Sequence, residues 1–98
     1  MQWSLQECGS GFRAQKADGL TAFIRRACLW AEMKPGRGLG YDITYKGFAI
    51  ARISFARRGA LVKPFAAAQS FPEISDLDLV ELALRVSKYR EAAAAALN

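Results

Sequence analysis

Trp3 and Leu5 alternate with polar residues, a pattern running on to Glu7 that predicts a short first strand. Gly9-Ser10-Gly11 closes it as a turn, and Phe12 to Gln15 read as a brief return strand. The spacing then changes. Leu20, Phe23, Ile24, Ala27 and Ala31 recur at three and four, and Asp18 is placed to cap them, so a helix is expected from Asp18 to about Lys34, stopped by Pro35-Gly36. A second stripe of Ala22, Leu29 and Met33, flanked by Trp30, lies almost opposite the first. A helix apolar on two sides has to be covered twice, by the sheet and the C-terminal helix together or by another chain, such as a second copy in a homodimer.

The strongest strand signal runs from Tyr41 to Phe55. Lys46-Gly47 reads as a two-residue hairpin turn, with Tyr45 opposite Phe48 and Ile43 opposite Ile50. Ile53 and Phe55 fall on the other parity, so a bulge near Ala51-Arg52 is expected unless both faces are covered. Arg58-Gly59 is a second candidate turn, returning through Ala60 to Lys63 until Pro64 ends the strand. This hairpin and the helix after it, over residues 41–90 with the Tyr45-Lys46-Gly47 turn, look like the small DNA-contacting arm domains of phage integrases. No functional residue is carried over on that likeness.

Ser75-Asp76-Leu77-Asp78 is a capping box, and Ile74 with Leu79 forms the hydrophobic pair that staples a helix entry. Leu79, Leu82, Val86, Tyr89 and Ala93 follow at helical spacing, with Leu77, Val80 and Leu84 expected to widen the buried stripe. Glu81 and Arg85 add an i,i+4 pair, and residues 92–98 are expected to fray. The expected fold is α+β, one domain over residues 1–98. An antiparallel sheet of three to five strands packs on two helices in the order β(β)-α-β-β-β-α.

Composition narrows the chemistry. The chain has 98 residues, 52% of them hydrophobic, but 18 are alanine, so its few large side chains have to be well used. Histidine is absent, which removes His-based triads, general bases and zinc ligand sets. Two cysteines make neither a zinc site nor a disulfide framework. Met1 to Glu7 has no basic or apolar leader character, and no apolar run reaches the ~20 residues of a membrane span. A cytoplasmic protein with no membrane partner is expected. Cys8 and Cys28 would then be reduced thiols, with a Cys8–Cys28 bridge as the alternative.

Charge is unevenly spread. Residues 1–42 sum to +2 and residues 73–98 to −2, whereas residues 43–72 carry Lys46, Arg52, Arg57, Arg58 and Lys63 without an acid, for +5. That segment equals the net charge of the whole chain and points to a polyanionic partner. Tyr41, Tyr45, Phe48 and Phe55 are interleaved with it, as nucleic-acid binders require, although the same rings serve equally well as core.

Gly36, Gly38 and Gly40 with Arg37 form a glycine-rich loop. It leaves a predicted helix C-terminus, whose dipole repels phosphate, so Arg37 is read as one more cation of the basic surface. Asp76 and Asp78 are accounted for by capping, and no serine stands in a nucleophile elbow, so no enzyme, cofactor or metal is expected. Arg26, Leu29, Trp30 and Met33 have the composition of a protein interface.

The expected function is a small binding module. Its basic hairpin surface, Arg37, Lys46, Arg52, Arg57, Arg58 and Lys63, docks on nucleic acid or on the acidic surface of a nucleic-acid-handling protein. The alternative is a protein-directed inhibitor or adaptor, of the kind phages use against host machinery, anti-CRISPRs among them. It would bind through the Arg26, Leu29, Trp30 and Met33 patch.

Overall fold

The computed structural model describes residues 2–28, 39–56 and 59–97. They build a six-stranded sheet in which every strand is antiparallel to its sequence neighbour, in the order β1 to β6. The strands are β1 (Trp3–Cys8), β2 (Gly11–Lys16), β3 (Thr21–Cys28), β4 (Leu39–Tyr45), β5 (Phe48–Ala56) and β6 (Gly59–Pro64). A 3₁₀ turn, Ala66–Ser70, leads to the helix α1, Asp76–Leu97. The protein is α+β, but the expected three to five strands and two helices are corrected, among the described residues, to six strands and one α-helix.

The correction comes from the segment expected as the first helix. Where described, it is β3, paired on one side with β2 (Phe12 opposite Ile24) and on the other with β4 (Ile24 opposite Ile43). Asp18 does not cap a helix. Its carboxylate accepts from the Leu20 N–H at 3.2 Å, and Gly19 takes φ +102°, so Ala17-Asp18-Gly19 is a hairpin loop with glycine in the left-handed position. Ala22 and Ile24 point inward and Phe23 and Arg25 outward. Apolar residues on both strand faces had imitated a helical stripe. The Leu29, Trp30, Met33, Lys34 and Arg37 positions lie outside the described residues, as does the Pro35-to-Gly38 part of the glycine-rich loop.

The β4–β5 hairpin forms as expected, with Lys46 at φ +50° and Gly47 at φ +84°, the two positive angles of a type I′ turn, and Tyr45 opposite Phe48. The bulge lies slightly earlier than expected. Thr44 faces Ala49 and Ile43 faces Ala51, leaving Ile50 as the extra residue, and Ile50 and Ala51 are both fully buried. Ala56 pairs with Gly59, so β5 returns as β6 through residues 57 and 58, which lie outside the described residues.

Inward positions of β1 to β5 make one core with α1, Trp3, Phe12, Ala14, Ala22, Ile24, Ile43, Ala51 and Ile53 against Leu79, Leu82, Ala83 and Val86, and Ala60 and Val62 of β6 pack against it half-buried. The helix touches both edge strands, β1 and β6, so the sheet curls around it and presents a concave and a convex face. Curling brings backbones close. A Cβ on Gly11 would collide with the Ile24 carbonyl, which restricts that buried position to glycine.

The expected capping box is present. Ser75 Oγ accepts from the Asp78 N–H at 3.2 Å, Asp78 Oδ2 accepts from the Ser75 N–H at 2.9 Å, and Ile74 and Leu79 are both buried. Asp78 also accepts from the Trp3 indole N–H at 3.0 Å and pairs with Lys16 at 3.3 Å, tying α1 to β1 and β2. Burial alone would raise this carboxyl. Bonds from the Ser75 N–H, the Trp3 indole, Lys16 and the Ser75 hydroxyl outweigh that and hold its pKa below the usual range. Glu81 accepts from the Gln2 and Trp3 N–H groups, the latter at 2.7 Å, which satisfies donors on the free edge of β1. Leu77, Val80 and Leu84 do not widen the buried stripe as expected. They face solvent on the far side of α1.

Candidate nucleic-acid interface

The convex face of the sheet follows from the strand registers, because directly opposed residues share a face. One row crosses four strands as Arg25, Asp42, Arg52 and Lys63. The adjoining row runs Gln6, Arg13, Phe23, Thr44 and Ala49. Strands lie ~4.8 Å apart, so the first row spans roughly 14 Å of backbone. Four cations and one exposed aromatic ring therefore stand on one surface. Asp42 is its only acid among the described residues, since Glu7 is on an inward position, Asp18 and Glu73 lie in connections, and the other acids are on α1.

Asp42 holds Arg52 by two bonds, from Nε at 2.9 Å and Nη2 at 3.4 Å, and the Arg52 guanidinium lies 5.5 Å from the Phe65 ring centre. This fixes one cation at the middle of the row. Arg13, Arg25 and Lys63 are exposed and make no ion pair among the described residues, so their charge is presented to solvent. Phe23 is 38% exposed between Arg13 on β2 and Thr44 on β4, with Arg25 two residues along its own strand. Leu61, 64% exposed, extends the apolar part of the face on β6.

Of the expected basic site, Arg52 and Lys63 are brought together as register partners. Lys46 stands apart on the β4–β5 turn, where its ammonium is 3.7 Å from Glu73 and lies over the Tyr45 ring. Arg37, Arg57 and Arg58 lie outside the described residues. The interleaved aromatics are mostly core: Tyr41 and Tyr45 are buried, and Phe55 packs edge-on to Tyr41 at 5.9 Å. Phe48 is exposed and rests against Phe71.

The expected interface residue Arg26 is on an inward position of β3, opposite Tyr41, and lines a cleft at one end of the sheet. Arg13, Phe23 and Arg25 were not singled out from sequence. The local signal ahead of β3 is the Asp18-Gly19 turn; Thr21 to Cys28 does not alternate, so the shared face follows only from the strand pairing.

Cys8 carries a free, exposed thiol, which sets aside the Cys8–Cys28 bridge. Among the described residues no three metal-binding side chains converge, and no helix is long and apolar enough to cross a membrane. No protein-family model, curated protein or solved structure matches the chain, so its functional reading rests on the convex face and the residues beneath it.

Proposed function

We propose that the protein is a binding module that lays the convex face of its sheet along a single strand of nucleic acid. The observation that carries this reading is the row Arg25, Asp42, Arg52, Lys63 with Arg13 and the exposed Phe23 ring in the row beside it. Cations track the phosphates, and a ring among them offers a stacking platform that any base can use. An unpaired strand is favoured over a duplex because its bases can unstack onto Phe23, whereas duplex bases present only their edges in the grooves. Asp42 restrains the Arg52 guanidinium and so limits the ordering entropy lost on binding.

Fluorescence anisotropy of a labelled oligonucleotide across a salt series tests the reading. With three to four phosphates neutralised on a single strand, log K falls against log salt with a slope of about −2 to −3. Arg25→Glu and Lys63→Glu flatten that slope. Absence of binding at low salt, or a slope unchanged by both substitutions, overturns the proposal.

A protein-directed adaptor is the second reading, supported by the solvent-facing Leu77, Val80 and Leu84 of α1, which recur at i, i+3 and i+7. It gains if a protein partner survives nuclease treatment and Leu84→Glu abolishes its binding while the convex-face substitutions do not.

A further inference from the structure

At the end of the sheet where β1 turns into β2, the concave face opens into a cleft of about 400 Å³, within the size range of small-molecule sites. Its walls come from three sources: the β1–β2 hairpin with Glu7 and Phe12, the strands β3 and β4 with Arg26 and Tyr41, and α1 with Tyr89 and Arg90. The rings form a connected set. Phe12 meets Tyr89 edge-on at 4.9 Å and Tyr41 at 5.9 Å, and Tyr41 meets Phe55 at 5.9 Å. Gly11 is part of the lining, and the close approach of its backbone to Ile24 shapes the wall.

The charges are unusual for this face. The inward positions of β3 read Ala22, Ile24, Arg26, so the apolar run ends in an exposed cation that makes no ion pair among the described residues. Across the cleft the Arg90 guanidinium carbon stands 4.1 Å from the Phe55 ring centre, a cation–π contact that holds this cation at the wall. The single acid of the lining is Glu7, which raises the pKa of the Tyr89 hydroxyl, and the two arginines outnumber it. Aromatic walls with two arginines against one carboxylate select a flat ring bearing an anionic group.

We infer that this cleft is a second binding site, separate from the convex face, for a small aromatic anion: a flat ring bearing a phosphate or a carboxylate. The ring packs among Phe12, Tyr41 and Tyr89, and the anionic group meets Arg26 and Arg90. The site faces away from the convex rows, so its occupancy does not depend on nucleic-acid binding there.

Titrations of the ¹⁵N-labelled protein followed by NMR test this with four probes: AMP, adenosine, inorganic phosphate and 1-naphthoate. AMP carries ring and phosphate, adenosine the ring alone, phosphate the charge alone, and 1-naphthoate a ring with carboxylate. Saturable shifts around Glu7 to Phe12, Arg26, Tyr41 and Tyr89-Arg90 with AMP, 1-naphthoate or both support the site and tell the two anions apart. Adenosine and phosphate are then each weaker by ~10-fold or more, the loss expected for giving up one of two linked contacts. Arg26→Ala weakens the anionic probes by ~10-fold, corresponding to one charge-assisted contact, while an unchanged melting curve shows the fold intact. Charge reversal at Arg25 and Lys63 leaves these shifts as they are. The inference is overturned if neither anion gives saturable shifts at the cleft, if phosphate alone binds as tightly as AMP, or if Arg26→Ala has no effect.

Discussion

Removing the Asp78 carboxylate tests how α1 is fastened to the sheet. Asp78 is 7% exposed and the Trp3 indole it bonds is 1% exposed, so water cannot substitute for the lost acceptor. In Asp78→Ala the reciprocal half of the capping box is lost at a cost of about 1 kcal/mol. The orphaned indole N–H adds about 1–3 kcal/mol. Lys16 loses its partner but, with its side chain 15% exposed, reaches water and adds little. The expected total is about 2–4 kcal/mol, a large share of the roughly 5–15 kcal/mol by which small domains are stable. Asp78→Asn keeps one acceptor where the carboxylate uses two, Oδ1 for the Trp3 indole and Oδ2 for the Ser75 N–H, so its NH2 faces one of those donors and the loss is expected at about 1–3 kcal/mol. Urea denaturation followed by circular dichroism measures both variants. An alanine loss under ~1 kcal/mol, or an asparagine variant as stable as the parent, refutes this account of the joint.

The same carboxylate gives a pH signature, because its folded pKa lies below the unfolded value of about 3.9. Its contribution is fully present above that value and disappears as pH falls through the lower folded pKa, so melting temperatures of the parent fall over that acid window more steeply than those of Asp78→Asn. Gly11→Ala drives a methyl into the Ile24 carbonyl and is expected to cost at least ~2 kcal/mol in urea denaturation, where a loss under ~0.5 kcal/mol would mean that the strands separate freely. Lys46→Asn places a residue more tolerant of positive φ in the type I′ turn and is expected to stabilise by a few tenths of a kcal/mol to about 1, net of its exposed pair with Glu73; a destabilised variant would contradict the turn assignment. Phe23→Ala weakens oligonucleotide binding by about 1–3 kcal/mol with little change in salt slope, because stacking releases no counterions.

Elements with a strong local code were readable in the chain. The Ser75-to-Asp78 box, the Ile74–Leu79 staple and the Lys46-Gly47 turn each rest on a few adjacent residues and appear where the spacing puts them. The described part of segment 18–34, which ends at Cys28, departs from the expected helix because Phe23 and Ile24, neighbours on one helical stripe, lie on opposite faces of a strand. Only pairing to β2 and β4 decides between the two geometries. Asp18-Gly19 carried the hairpin signal and was spent on a helix cap. That one misassignment hid half of the candidate site. Arg52 and Lys63, within correctly read strands, were found, whereas Arg13, Phe23 and Arg25 share a surface only once β3 is a strand. Exposure of Leu77, Val80 and Leu84 was illegible for a different reason: among the described residues α1 is covered by the sheet on one face, and the described part of the segment expected as a second helix is a strand.

The most direct test of the convex face is NMR of the ¹³C,¹⁵N-labelled protein titrated with a short unpaired oligonucleotide at low salt. Binding along the face moves the Phe23 ring signals upfield and shifts the side-chain Nε–H signals of Arg13, Arg25 and Arg52, while the Leu77, Val80 and Leu84 methyl signals stay in place. Shifts confined to α1, or none at low salt, would contradict the account.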